Sequence, residues 1–115
     1  MESDVLLARR RKARQGTVKV GDYTFTFRRP TEIEAAKIQG DYTAFDVAVE
    51  FVCGWSDNVT EAVLIPGGAS DPATFSKELW ADWCADRSEF WPPIMKAITE
   101  AYVNYTQGKT DSGND

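Results

Sequence analysis

Residues 17–29 constrain this chain more than any other stretch. Thr17-Val18-Lys19-Val20 and Tyr23-Thr24-Phe25-Thr26-Phe27-Arg28-Arg29 alternate polar and apolar side chains on either side of Gly21-Asp22. Successive side chains of a strand point to opposite faces, so Val18, Val20, Tyr23, Phe25 and Phe27 fall on one side. Glycine at the first of two loop positions suits a type II′ turn. The segment therefore predicts an antiparallel β-hairpin with one apolar, largely aromatic face. A lone hairpin is barely stable in water, so that face must be covered. A ladder of aromatic rings is also a platform on which bases stack. No basic residues interleave on that face, and packing against helices is the expected use.

The rest of the chain supplies helices. Pro30 stops the second strand, and Thr31-Glu32-Ile33-Glu34 reads as a capping box opening a helix over about 31–39, with Ile33 and Ala36 inward. Asp41 or Thr43 starts a longer helix over about 43–53. There Phe45, Ala48, Val49 and Val52 form one stripe, and Gly54 ends the helix. Residues 55–74 read as irregular, with Val59–Ile65 undecided between a helical turn and a short strand. The run from Pro66 to Pro72 is a loop by its breakers. Its Gly67-Gly68 lacks the Gly-Lys-Ser/Thr ending of a phosphate-cradling loop. Thr74 or Ser76 caps a helix over about 75–87, with Leu79, Trp80, Trp83 and Cys84 on one face and Glu78, Asp82 and Asp86 on another. A last helix over about 93–106 carries Ile94, Ile98, Ala101, Tyr102 and Tyr105 at helical spacing. Gly108 closes it and 108–115 is expected to be a disordered tail. The expected fold class is α+β: one small domain over 17–107, a hairpin packed against about four helices, preceded by a basic arm or short helix over 1–16.

Composition removes whole classes of chemistry. The 115 residues are 43% hydrophobic and 12% aromatic, a globular balance for a single domain, and contain no histidine. Ser-His-Asp and Cys-His catalysis therefore have no base. Histidine-dependent zinc sites are excluded, and two cysteines cannot build a four-cysteine site. The acidic stripe Glu78, Asp82, Asp86 lacks the convergent loop geometry of a calcium or magnesium site and reads as a solvated face. No cofactor, no metal and no enzymatic activity are expected. Without a membrane-length apolar run or a signal-peptide pattern, the expected location is the cytosol, with Cys53 and Cys84 as free thiols.

Charge is uneven. Arg9, Arg10, Arg11, Lys12 and Arg14 give residues 1–15 a net charge of +3, while the remainder carries −8. Such an arm suggests nucleic acid or an acidic partner. Five cations on so acidic a body would give only weak, salt-sensitive binding to phosphate, and a solvated terminus is the plainer reading. Nucleic acid is not the expected partner.

The second half carries an ordered set of short motifs. Gly54-Trp55, Val59-Thr60-Glu61, Phe75-Ser76, Glu78-Leu79-Trp80, Ala97-Ile98 and Glu100-Ala101-Tyr102, with Ala85-Asp86-Arg87 before Phe90-Trp91, resemble the tail assembly chaperones of long-tailed bacteriophages and prophages. The match covers about residues 47–105. The chain departs from many relatives in having Ser56-Asp57 after the Gly-Trp and a longer loop from Pro66 to Pro72. The resemblance implies a protein that binds the tape measure protein, keeps it soluble and recruits tail tube subunits in the host cytoplasm, and that is absent from the mature virion. Self-association is compatible with it. The alternatives are a structural virion component, such as a tail completion or connector protein, and a small nucleic-acid-binding regulator using the arm.

A chaperone of an amphipathic helix needs an exposed apolar surface with a polar rim. Trp80, Trp83, Phe90 and Trp91 are the expected partner-binding residues, because large aromatics dominate interface energetics. Filling the core is their other use. Trp80 is expected to be the most exposed of the four.

Overall fold

A computed structural model of the protein describes residues 2–38, 40 and 42–113. The fold is α+β, with one three-stranded antiparallel sheet in the order β1-β2-β3 and six α-helices among the described residues. Helix α1 (Ser3–Ala13) leads into β1 (Gln15–Val20) and β2 (Tyr23–Arg28). Then come α2 (Glu32–Lys37), α3 (Ala44–Phe51), β3 (Val52–Trp55), α4 (Glu61–Leu64), α5 (Lys77–Ala85), a 3-10 turn (Ser88–Phe90) and α6 (Trp91–Gly113).

The hairpin has the expected form. Val18 faces Phe25 and Val20 faces Tyr23 across the ladder. Gly21 takes φ +61° while Asp22 stays at negative φ, which fits a type II′ turn and not a type I′ turn, where both would be positive. Strand β1 starts earlier than expected, at Gln15, so Gly16 belongs to the strand. A Cβ at Gly16 would lie 2.8 Å from the tip of the Phe27 ring, so the glycine gives Phe27 room to lie flat on its own ladder partner.

Strand β3 was not legible in the sequence. The stretch Val52-Cys53-Gly54-Trp55 reads as the end of a helix, yet Val52 turns to φ −76°, ψ 131° and the chain pairs with β2. The free edge of β2 must find partners for its amides and carbonyls, and β3 supplies them. The turn of the chain also rotates the seam of α3. Val47, Ala48 and Phe51 are buried together with Val52, while Phe45 and Val49 are half-buried at its margin.

Capping fixes several helix starts. Thr31 and Glu34 form the expected capping box, Thr43 and Asp46 form another, and Ser76 Oγ accepts from the Leu79 amide. For α1 the cap position is Glu2, with no side-chain cap. Two expectations for α2 are overturned. Ile33 is 67% exposed and Ala36 is exposed, while Ala35 and Ile38 turn inward. The helix is rotated because Arg28 draws Glu34 toward the sheet, Nη1 to Oε1 2.8 Å.

Helix α6 runs through Gly108 to Gly113, past the helix end expected at Gly108; Asn114 and Asp115 lie outside the described residues. Gly108 keeps a negative φ. One further turn of helix keeps Lys109 on the face of Tyr105, and both side chains reach the Glu32 carboxylate, at 2.6 and 2.7 Å.

The core lies between the hairpin's aromatic face and helices α3, α5 and α6. Phe25, Ala48, Phe51, Val52, Val59, Trp80, Cys84 and Ile94 are fully buried. Among the described residues no helix is long and apolar enough to cross a membrane.

Candidate functional site

Of the four aromatics expected at a partner surface, Trp80, Trp83 and Phe90 are brought together inside the protein, while the Trp91 ring packs on Phe45 at 5.3 Å. Trp80 is fully buried, Phe90 is 2% exposed, Trp83 is 8% exposed and Trp91 is half-buried. The expectation that Trp80 is the most exposed of them is overturned. The Phe25 ring lies 4.9 Å from Trp80 and 5.4 Å from Phe90, and Tyr23 meets Trp83 edge-on at 5.5 Å. These rings are what the hairpin's aromatic face needs as a cover. Three indole N–H groups also join elements: Trp80 donates to Ala48 O (3.0 Å), Trp55 to Ala73 O (2.8 Å) and Trp91 to Cys84 O (2.7 Å). A buried indole seeks an acceptor, so the tryptophan-rich composition reports internal fastening more than an exposed surface.

The cysteines are free thiols. Burial pushes Cys84 up to about 11, against its contact with Trp91, and keeps it protonated at neutral pH. Among the described residues no group of His, Cys, Asp or Glu could hold a metal ion.

Three open surfaces among the described residues bear on function. The first is a polar cleft of about 330 Å³ between the end of α1, the base of the hairpin and α6. Arg10, Arg14 and Arg29 line it with Glu32 and Tyr105, and the Arg29 guanidinium stacks 3.5 Å from the Tyr105 ring centre. Lys109 beside Glu32 holds that carboxyl below its usual value. Of the expected electrostatic arm, Arg10 and Arg14 thus meet the body, while Arg9, Arg11 and Lys12 are exposed on α1.

The second is a mainly apolar cleft of about 250 Å³ under α2, lined by Ala35, Ile38, Met95, Ile98 and Tyr102. Its outer wall is α2, and α2 is held by Glu34. That carboxylate accepts from Arg28 and from the Thr31 amide and hydroxyl. The Arg28 guanidinium, acting against partial burial, holds it down to about 2 from an ordinary 4.5. The folded state therefore binds this proton less readily than the unfolded chain. Its contribution is complete above about pH 4.5 and is lost as pH falls toward 2. With solvent screening of a pair this accessible, the contribution is about 1–2 kcal/mol. Denaturant unfolding should show Glu34→Gln less stable by that amount at pH 7, with the gap closing by pH 2. A gap independent of pH would refute the assignment.

The third is an open groove of about 660 Å³ between α4 and α5. Leu64, Ile65, Pro72 and Leu79 give it an apolar floor, and Glu61 and Asp82 stand at its edges. Its far wall is the loop after α4, folded back so that Asp71 O and Ala69 O accept from the Glu61 and Ala62 amides. These carbonyls satisfy first-turn donors that a helix leaves open, which is why so short a helix persists. Sequence reasoning missed this groove. Leu79 belongs to the apolar face of α5 yet is 37% exposed, and Ile65, 60% exposed, sits in the segment whose periodicity decides nothing.

Comparison with protein-family models, with curated proteins and with solved structures finds no match to this chain.

Proposed function

We propose that this protein is a tail assembly chaperone of a long-tailed bacteriophage or prophage, a binding protein with no catalytic role. It would hold the tape measure protein in soluble form and bring tail tube subunits to it. The ordered motifs over residues 47–105 support this reading. The observation that carries it is the mainly apolar cleft between α2 and α6, open to solvent. Met95 and Ile38 give it an adaptable lining of the kind that accepts apolar side chains from varied helical segments. A tape measure protein is a long helical chain with apolar stretches and presents such segments repeatedly.

The test is co-purification of the folded chain with the tape measure protein encoded beside it. Binding is expected, with at least about tenfold loss in a Met95→Asp variant, because a carboxylate placed in an apolar contact is left without a partner. Failure of the two folded proteins to associate would sink the proposal. Recovery of the chain in purified particles would favour a structural virion component instead.

A further inference from the structure

We propose that the α4–α5 groove receives the first helix of a second copy of this chain, so that copies join head to tail. The inference rests on two surfaces of the same molecule, each incomplete alone. On α1 no residue is buried, and Val5, Leu6 and Leu7 are each 45–47% exposed. Directly after this apolar turn come Arg9, Arg10, Arg11 and Lys12, which have no ion-pair partner among the described residues. In the groove the exposed apolar residues are Ile65 and Leu79, and the rim carries Glu61 and Asp82. Glu78 and Asp86 continue the acidic side of α5 and are exposed. None of these four carboxylates has an ion-pair partner among the described residues.

The two surfaces are complementary in both respects that select a partner. An apolar turn followed by a basic one meets an apolar floor flanked by acids, so burial and charge act in the same register. The chain's own α1 is engaged elsewhere. Its last turns lie against Arg29, Thr31 and Tyr105, on a cleft that shares no residue with the groove. The donor is therefore another molecule. A nucleic acid or an anionic lipid would match the basic turn but would meet a body of net charge −8. That same charge sets the geometry, since two bodies repel and only arm to body attracts. The contact is heterologous, each copy offering one arm and one groove, so it grows into a ring or an open row instead of stopping at a dimer. The molecule is already drawn out for this, 57 × 38 × 21 Å with a radius of gyration of 16.0 Å against about 13 Å for a compact chain of this length.

The contact is small and should be weak and salt-sensitive. It is read by sedimentation velocity of the full chain across a concentration series, in low salt and in about 0.5 M salt. The wild-type average mass is expected to rise at least about twofold with concentration in low salt and to return toward monomer in high salt. An arm variant, Leu6→Asp with Arg9→Glu, and a groove variant, Ile65→Lys with Asp82→Lys, should each stay monomeric. Mixed together they should form a heterodimer and nothing larger, because only one intact arm and one intact groove remain. Asp82→Lys alone alters an exposed side chain and serves if the double groove variant fails to fold. A wild type that is monomeric throughout overturns the proposal. So does assembly that survives either variant, a mixture that stays monomeric, or an arm variant that acts while every groove variant does not. The inference stands apart from the proposed function: the arm variant leaves the α2–α6 cleft intact, so capture of a tape measure protein is read separately.

Discussion

Trp80→Ala is expected to remove about 4 kcal/mol from the unfolding free energy and about 15 °C from the melting temperature. The residue is fully buried, and its ring meets Phe25 at 4.9 Å, Trp83 at 6.1 Å and Phe90 at 6.3 Å. Truncation leaves a large cavity between hairpin and helices, and rings of fixed shape cannot collapse into it. In a domain whose whole stability is about 5–15 kcal/mol, a loss of this size leaves a substantial unfolded fraction near physiological temperature. Trp80→Phe separates packing from the hydrogen bond. Ala48 O accepts both from the indole and from the Val52 amide, so removing the indole N–H does not orphan the carbonyl. That variant should cost about 1–2 kcal/mol, mostly lost contact. Denaturant unfolding with paired thermal scans checks both values. An unchanged midpoint for Trp80→Ala would mean that the ring faces solvent or a partner and is not a core residue.

The contrast between that expectation and an exposed Trp80 shows where the sequence stops being readable. Short-range signals were legible because they are complete within a few residues. The Gly21-Asp22 turn, the Thr31/Glu34 box, the Ser76 cap and the stripe of Ile94 and Ile98 each depend on local spacing alone. Strand β3 depends on an edge presented by residues 23–28, some twenty-five positions away, and nothing in Val52-Cys53-Gly54-Trp55 announces it. The rotation of α2 has the same origin, a pull from Arg28 on Glu34 across the strand end. Open surfaces were the least legible. An apolar helix face predicts that something covers it, without saying where the cover ends. The loop from Pro66 to Pro72 folds against α4, and Leu79 on α5 stays 37% exposed.

That loop carries the other large expected effect. Gly68→Ala should cost about 2–3 kcal/mol and loosen α4. A Cβ at Gly68 would lie 2.7 Å from the Glu61 carbonyl carbon and oxygen and 3.0 Å from the Ala62 amide nitrogen. These are backbone atoms of the first helical turn, and they cannot rotate away as a side-chain tip can. The loop must therefore lift, and lifting it separates the Ala69 and Asp71 carbonyls from the Ala62 and Glu61 amides. Gly67→Ala is the control. Gly67 has nothing within 4 Å of its Cβ position but takes φ +83°, so alanine there suffers only the conformational penalty, about 1 kcal/mol. Gly67→Asn should recover part of that loss, because asparagine tolerates a left-handed backbone better. Amide hydrogen exchange distinguishes the two mechanisms. In Gly68→Ala the Glu61 and Ala62 amides should exchange much faster than in wild type, while in Gly67→Ala they should keep most of their protection. Equal exchange in both variants would mean that the close approach at Gly68 is absorbed without lifting the loop. If the loop does lift, Pro72 and Ala73 leave the groove with it, and head-to-tail association should fall in Gly68→Ala although the arm and Asp82 are untouched.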